Sequence, residues 1–381
     1  MENFKLEKNK LRKNEFFFFL AYSLLILYRV IKSSTIGLDD KGITYIIIAL
    51  LFCIHFIQIK LSKLKLIGIG TIGVIVLFCF FKTMDPIIPI VFLAVIASKN
   101  IEFKKIAKVS LYLTFIMVII VLCLALCGVI VDTQTYRYFG NTKITCHGLG
   151  FNHSSALPTF YFFMFLNYFY LNPNRRKFLN LLFGVLIGCF IFVFCAERLR
   201  FYLLIIAALM IFVLPITHGK FNKLKKVIII WMFPVCCVLT LLLGYYYNSS
   251  NSIMYNLNIA LSNRLYFEHH AFQKYPITLF GQDIMMGEDV TTFKDGTTYF
   301  YLDSAYVYLL FEYGILVFIG LILVYRYGCK KAFDFNDGYL CLWFVLLAID
   351  SIIGNQILSI WSIPILFIPF CDNSSLKKIE E

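Results

Sequence analysis

The sequence predicts an all-α fold: a polytopic integral membrane protein with about twelve transmembrane helices and one long extracytoplasmic loop. Two observations carry this prediction. The 381 residues are 60% hydrophobic and only 15% charged, and apolar stretches of about twenty residues recur from end to end. Such stretches are much longer than the strands of a membrane β-barrel, so each is expected to satisfy its backbone polar groups within a helix.

Twelve apolar segments are predicted as spans. They cover residues 15–34, 43–60, 64–82, 85–98, 107–131, 154–171, 177–196, 199–217, 227–247, 301–326, 337–353 and 356–370. A long polar stretch after the ninth span divides the chain into an N-terminal membrane bundle, 1–247, an extracytoplasmic loop with short interfacial helices, 248–300, and C-terminal membrane helices, 301–381. We expect much of the chemistry to lie in that loop and at the start of the span that follows it.

The basic residues alternate with the spans in a regular way. Most of the 35 lysines and arginines lie in short clusters at every second connection, which is the positive-inside pattern of membrane proteins. This pattern predicts that both termini are cytoplasmic and that the loop 248–300 is outside. It also explains the net charge of +13, so no nucleic-acid partner is expected. The 12 cysteines have neither disulfide-framework nor zinc-finger spacing, and we expect no metal and no cofactor.

Four arginines lie on the predicted outer side, against the positive-inside bias: Arg137, Arg198, Arg200 and Arg264. A guanidinium offers a planar fork of donors that suits phosphate oxygens, so these residues are candidate contacts of an anionic substrate. Each could instead reach lipid headgroups or form a structural ion pair. Arg198 and Arg200 project about 200° apart on a helix, so at most one of them is expected to face a shared site.

Two further polar stretches hold candidate residues. Asn152 and His153 lead into the sixth span, where a helix N-terminus favours an anion; a simple capped junction explains the same residues. His270, in Glu268-His269-His270, is a candidate substrate contact or general base, or an ordinary solvated loop residue. Adjacent helical residues point about 100° apart, so this triplet does not predict a metal site.

Asp303 stands at the start of the tenth predicted span. It either caps that helix or acts as a base that deprotonates an acceptor hydroxyl while arginines hold a departing phosphate. On one continuous helix Tyr306 would share its face and Glu312 would point nearly opposite. The two carboxylates are therefore not expected to bracket one bond, as the pair does in soluble glycosidases.

These motifs resemble those of the Wzy-type repeat-unit polymerases of bacterial surface polysaccharides, which are related to the O-antigen ligases. The resemblance covers most of the chain in architecture. The matching segments are Gly150-Phe151-Asn152, Glu197-Arg198, Arg264 followed by Pro276 and Leu279-Phe280-Gly281, and then Asp303-Ser304, Tyr306, Leu309 and Glu312-Tyr313-Gly314. Two positions depart from the family pattern, since Ser304 stands where Asn is usual and Glu197 where Ser is usual.

The resemblance implies a GT-C-like membrane glycosyltransferase of the bacterial cytoplasmic membrane that is inverting and metal-independent. Its donor and acceptor would be polyprenyl-pyrophosphate-linked glycans in the lipid bilayer, with a flippase and a chain-length regulator as further partners. Asp303 and His270 are then the candidate catalytic residues. The candidate contacts of the pyrophosphate or the sugar are Arg137, Arg198, Arg200, Arg264, Asn152, His153 and Tyr306.

Two other functions stay open. An O-antigen ligase would transfer the glycan to a different acceptor, but ligases tend to carry His at the position of Asp303, which favours a polymerase. A flippase or other transporter is expected to carry charges deep in its spans and an internal repeat. The charges here gather at the predicted outer surface, which favours an interfacial enzyme.

Overall fold

The computed structural model describes residues 2–38, 42–139, 142–173, 176–213, 223–287 and 299–372, and this part of the chain is mostly helical. Within it, nine helices coincide with the first nine predicted spans: α1 (Glu2–Lys32), α2 (Ile43–Ile57), α3 (Lys63–Thr83), α4 (Ile87–Ala97), α5 (Phe103–Leu126), α6 (Ala156–Leu171), α7 (Lys177–Cys195), α8 (Arg198–Val213) and α9 (Lys223–Tyr245). The acidic part of the predicted loop, 288–298, and residues 373–381 lie outside the described residues.

The later helices are shorter and more interrupted. The predicted loop contains α10 (Ser252–Ala260) and α11 (Arg264–Lys274), and after it come α12 (Ala305–Glu312), α13 (Gly314–Asp334) and α14 (Gly338–Ile353). Side chains begin two of these helices: Asn251 caps α10, and Asp337 caps α14 by accepting hydrogen bonds from the backbone of Tyr339 and Leu340. Helices α13 and α14 pack against α9, so the C-terminal helices and the N-terminal bundle share an interface.

Among the residues that the structure describes, four helices are long and apolar enough to cross a membrane: α3, α5, α7 and α9. Their outward surfaces are apolar as well, and in α3 only 11% of the most apolar window is buried. Water would solvate so much exposed apolar surface poorly, whereas lipid chains solvate it well. The fold is therefore that of a helical membrane protein, while the predicted number of twelve spans is not confirmed.

The tenth predicted span is not one continuous helix. Its first residues, 301–304, are not helical, and Tyr313 separates α12 from α13, which begins at Gly314 (φ +78°). The break lets the chain 278–282 lie against it: Gln282 donates its backbone N–H to the Glu312 carbonyl oxygen at 3.0 Å, and Ile315 donates to Thr278 at 2.9 Å. A Cβ on Gly314 would lie 2.3 Å from the backbone nitrogen of Gly281. Close backbone contact and a positive φ both require glycine there.

The twelfth predicted span, 356–370, is wrong as a helix. The chain after α14 forms turns and a short 3₁₀-helix, Pro364–Phe367, almost all of it buried. Side chains of the surrounding helices satisfy its backbone, since Tyr22 donates to the carbonyl oxygen of Ile360 at 2.8 Å and Ser110 to that of Trp361 at 3.1 Å. Irregular backbone is tolerated among membrane helices where protein surrounds it, and two prolines, Pro364 and Pro369, oppose a helix here.

A β-hairpin corrects the purely helical prediction. Strands β1 (Gln134–Phe139) and β2 (Thr142–His147) pair antiparallel within the predicted outer stretch that follows α5. Their residues are rich in aromatic and β-branched side chains, which favour strands. The polarity of this stretch had favoured a loop between two spans.

The helices have two distinguishable ends. One end holds the β-hairpin, α11, the turn between α7 and α8, and the last turn of α14; we call it the loop end. At the opposite end, the basic end, Lys105 pairs with Glu15 at 2.8 Å and the backbone of Asp372 pairs with that of Ile101 at 2.8 Å. The described chain therefore returns to the end of the helices at which its first apolar segment began.

Candidate functional site

The β-hairpin carries Arg137 to the turn between α7 and α8. Its Nη1 donates to the carbonyl oxygen of Ala196 at 2.8 Å, and its Nη2 lies 2.6 Å from Oε2 of Glu197. Ala196 ends α7 in the left-handed conformation (φ +51°), so that the chain turns sharply at this point. The side chain of Arg137 remains 35% exposed, so the arginine is partly accessible at the surface.

Arg200, in the first turn of α8, is buried between two carboxylates. Its Nη1 lies 3.6 Å from Oε1 of Glu197, and its Nε lies 3.3 Å from Oδ1 of Asp350, in the last turn of α14. The contact with Asp350 is an ion pair that lacks hydrogen-bond alignment, and among the described residues neither Asp350 oxygen has a hydrogen-bond partner. Gly354 closes over the pair, since a Cβ there would lie 2.4 Å from Nη2 of Arg200.

Asp350 was not among the predicted site residues. It was counted as part of the eleventh apolar span, although an acidic residue inside an apolar segment is itself a signal of function or of a buried partner. Its partner, Arg200, comes from a different helix and could not be assigned by spacing along the chain.

Arg264, the first residue of α11, joins the predicted loop to α14 and to Asp303. Its Nε donates to the carbonyl oxygen of Ile353 at 2.8 Å, its Nη1 donates to that of Leu261 at 3.1 Å, and its Nη2 lies 3.2 Å from Oδ2 of Asp303. The guanidinium is thus fixed through all three nitrogens. The side chain of Asp303 remains 49% exposed, against 19% for Arg264, so the carboxylate is the more accessible partner.

Asp303 does not occupy the cap position of the following helix. Ser304 is the N-cap residue of α12, and Asp303 lies one residue earlier, in extended chain. The predicted shared helical face of Asp303 and Tyr306 is therefore wrong, because the helix begins only at Ala305. Instead, Tyr306 lies in the core and its hydroxyl donates to the carbonyl oxygen of Ala348 at 2.9 Å.

These groups form one electrostatic unit. Asp303 is half exposed, yet the surrounding protein desolvates it enough to raise its pKa, while the charges of Arg264 and Arg200 oppose that shift. Burial alone would raise the pKa of Glu197 as well, but Arg200 and Arg137 hold it below its ordinary value. Asp303 is therefore a stronger base than an ordinary aspartate, and Glu197 remains a permanent anion between two arginines.

Glu268, one turn after Arg264 on α11, is a second titratable group beside this site. Burial raises its pKa to about 8, with Arg264 opposing the shift and Asp303 adding to it. Its Oε2 has no hydrogen-bond partner within the described part of the chain, and a Cβ on Gly244 would lie 2.8 Å from that oxygen. Glu268 is therefore mostly protonated and neutral at neutral pH, so Arg264 pairs with the carboxylate of Asp303.

The other predicted site residues lie around this cluster or away from it. Arg198 is exposed whereas Arg200 is buried, in line with their opposite directions on α8. Asn152 is exposed and its amide donates to the carbonyl oxygen of Lys32 at 3.1 Å. His153 is also exposed, and its charge lowers the pKa of Asp303, so it lies near the site. The ring of His270 packs on that of Tyr266 with centroids 4.3 Å apart, and burial and His269 lower its pKa.

The fold and the site define a class: a helical membrane protein with three arginines and four acidic residues gathered at one end of its helices. No protein-family model, no curated protein and no solved structure matches this chain. The residues that the structure describes also contain no group of three or more His, Cys, Asp or Glu side chains placed to hold a metal ion. Any function must therefore be argued from the charged cluster itself.

Proposed function

We propose that the protein is a membrane glycosyltransferase that joins polyprenyl-pyrophosphate-linked oligosaccharide repeat units into a bacterial surface polysaccharide, such as a capsule or O-antigen. One observation carries the proposal: the accessible, desolvated carboxylate of Asp303 is held by Arg264 in a cluster of arginines at the loop end. When a sugar hydroxyl displaces a pyrophosphate, a base can take the proton of the hydroxyl, and guanidinium groups can stabilise the negative charge of the departing pyrophosphate.

The reaction assigns a separate task to each group. The acceptor hydroxyl oxygen attacks the anomeric carbon of the donor sugar, and its proton passes to Asp303. The bond between that carbon and the pyrophosphate oxygen breaks, and polyprenyl pyrophosphate leaves with the electron pair. Attack from the side opposite the leaving group inverts the anomeric configuration. The raised pKa of Asp303 suits this task, because a base whose pKa lies nearer the working pH transfers protons more effectively.

The arginines divide into contacting and positioning residues. Arg137 and Arg264 have side chains that are 35% and 19% exposed, and each is expected to contact the pyrophosphate as it departs. Arg200 is buried against Glu197 and Asp350 and is expected to hold the turn that positions Arg137. Arg198 and His153 are exposed near this cluster, and Arg198 adds positive charge for an anionic substrate.

The expected setting is the bacterial cytoplasmic membrane, with the loop end outside and both termini in the cytoplasm. The clusters of lysine and arginine at alternate connections support that orientation. A lipid-linked repeat unit presents its pyrophosphate at the membrane surface, where the loop end would lie. A flippase that delivers the repeat units and a regulator of chain length are the expected partners.

The position of the charges supports an enzyme over a transporter. Arg200 lies in the first turn of α8, Asp350 in the last turn of α14, and Glu197 in the turn between α7 and α8. A transporter is expected to bind its substrate near the middle of the membrane, not at the helix ends. Aspartate at position 303 favours a polymerase over a ligase.

The test is the Asp303→Asn variant, purified in lipid nanodiscs and supplied with lipid-linked repeat units from the source cells. Asparagine keeps the size of the side chain but cannot accept the proton, so elongation is expected to fall about 10²–10⁴-fold. Asp283→Asn, at an exposed carboxylate of the same loop, is the control and should retain elongation. Wild-type elongation by the Asp303 variant would refute Asp303 as the base.

A further inference from the structure

The extended chain before α12 alternates strictly between exposed and buried side chains. Tyr299 and Tyr301 are 46% and 36% exposed, and Asp303 continues the exposed series. Between them Phe300 and Leu302 are buried. The antiparallel bridge between Phe300 and Gly287 and the extended conformation of Ser304 indicate that the chain between them is extended. Since alternate side chains of an extended chain point to the same side, the two tyrosines and Asp303 line one outward face.

The buried residues of this segment fix the direction of that face. Phe300 and Leu302 pack into a small core with Val307 and Phe311 of α12. The backbone of Phe300 also exchanges two hydrogen bonds with Gly287, at 3.0 and 3.1 Å. A shift by one residue would place Tyr299 and Tyr301 in the core, so the outward face is well specified.

The two exposed rings form a tilted pair that α11 supports. Their centroids lie 5.0 Å apart with an angle of 46° between the ring planes. Phe267 packs against Tyr299 at 5.5 Å, and it lies one turn after Arg264 on α11. The same helix therefore holds the aromatic pair and the arginine that fixes Asp303.

We propose that Tyr299 and Tyr301 form a sugar-binding platform that leads an acceptor saccharide to Asp303. A pyranose ring has an apolar face of C–H groups and a rim of hydroxyls, and a tyrosine offers a matching ring face and a polar tip. Two rings in line with a carboxylate would orient consecutive sugar units so that a terminal hydroxyl reaches Asp303. The assignment of this saccharide as the acceptor rests on the proposed function, whereas saccharide binding itself does not.

The experiment measures binding of a free oligosaccharide by the full-length protein in lipid nanodiscs. The probe is the repeat-unit oligosaccharide released from the surface polysaccharide of the source cells by mild acid, with affinity from calorimetry and contacts from saturation-transfer NMR. Tyr299→Ala and Tyr301→Ala should each weaken binding about tenfold, equal to about 1.4 kcal/mol. Tyr299→Phe and Tyr301→Phe keep the rings and should bind within about threefold of wild type.

Two controls separate the platform from the catalytic step. Tyr255→Ala removes a similarly exposed tyrosine from α10 and should leave the affinity unchanged. Asp303→Asn should still bind the probe although elongation is lost. Wild-type affinity in both Tyr→Ala variants, or no binding of the probe by the wild-type protein, would overturn the platform. If the tyrosine variants lose binding but the wild-type protein elongates no repeat units, the platform stands and the proposed function fails.

Discussion

Replacement of Arg200 by methionine is expected to destabilise the protein by about 3–5 kcal/mol, the usual cost of leaving a buried charge without its partner. Methionine keeps most of the length of the side chain but removes the guanidinium that lies 3.6 Å from Glu197 and 3.3 Å from Asp350. Arg137 still neutralises Glu197 at 2.6 Å, so most of the loss arises at Asp350, whose side chain has no exposed surface.

A double-mutant cycle tests that reasoning. Asp350→Leu removes the buried carboxylate, and the double variant Arg200→Met with Asp350→Leu replaces both charges with apolar groups. The double variant should be more stable than the sum of the single effects predicts, by about 1–3 kcal/mol. The measurement is equilibrium unfolding in mixed micelles with increasing dodecyl sulfate, followed by circular dichroism. A loss below about 1 kcal/mol for Arg200→Met, with additive effects, would show that the pair behaves as an exposed ion pair.

Three further predictions concern Glu268, two arginines of the cluster and the orientation in the membrane. Folding raises the pKa of Glu268 from 4.5 to about 8, so between these values the folded state binds a proton that the unfolded state has lost. The free energy of unfolding should therefore fall as the pH rises from 4.5 to 8, by up to about 1.4 kcal/mol per pH unit, and Glu268→Gln should remove that decline in unfolding titrations. Arg137→Lys and Arg264→Lys should each lose most elongation activity, because lysine lacks the planar fork of donors; full polymer production by both would exclude a pyrophosphate role. In a cysteine-depleted background, an impermeant thiol reagent on intact cells should label Ser250→Cys at the loop end but not Ser62→Cys, and the reverse pattern would invert the orientation.

The length and polarity of apolar segments predicted where the first nine helices lie, because a sustained apolar run indicates a helix by composition. Among these nine helices, α3, α5, α7 and α9 are long and apolar enough to cross a membrane. The same criterion failed for 356–370. Apolar residues there are buried by protein on all sides, and the backbone finds partners in side chains such as Tyr22 and Ser110 that lie far away in sequence. Composition carries no information about such partners.

In the candidate site, too, the charged residues were predictable from the sequence but their partners were not. The bias against outer basic residues singled out Arg137, Arg198, Arg200 and Arg264, since cations at that position need a partner. Three of them form the ion pairs of the cluster, whereas Arg198, which the sequence favoured as a pyrophosphate contact, is exposed. The identity of the partners depends on helices that meet only in three dimensions, so Asp350 was missed. The position of Tyr306 was misjudged because Asp303 precedes α12 and does not share its helical periodicity.

The proposed polymerisation yields two products, and both can be followed in one reaction. Purified protein in lipid nanodiscs, given only lipid-linked repeat units from the source cells, should release one polyprenyl pyrophosphate for each new glycosidic bond. NMR of the product should show the inverted anomeric configuration at that bond. Polymer formed with retained configuration, or no coupling of repeat units by the wild-type protein while its fold is intact, would contradict the proposed function.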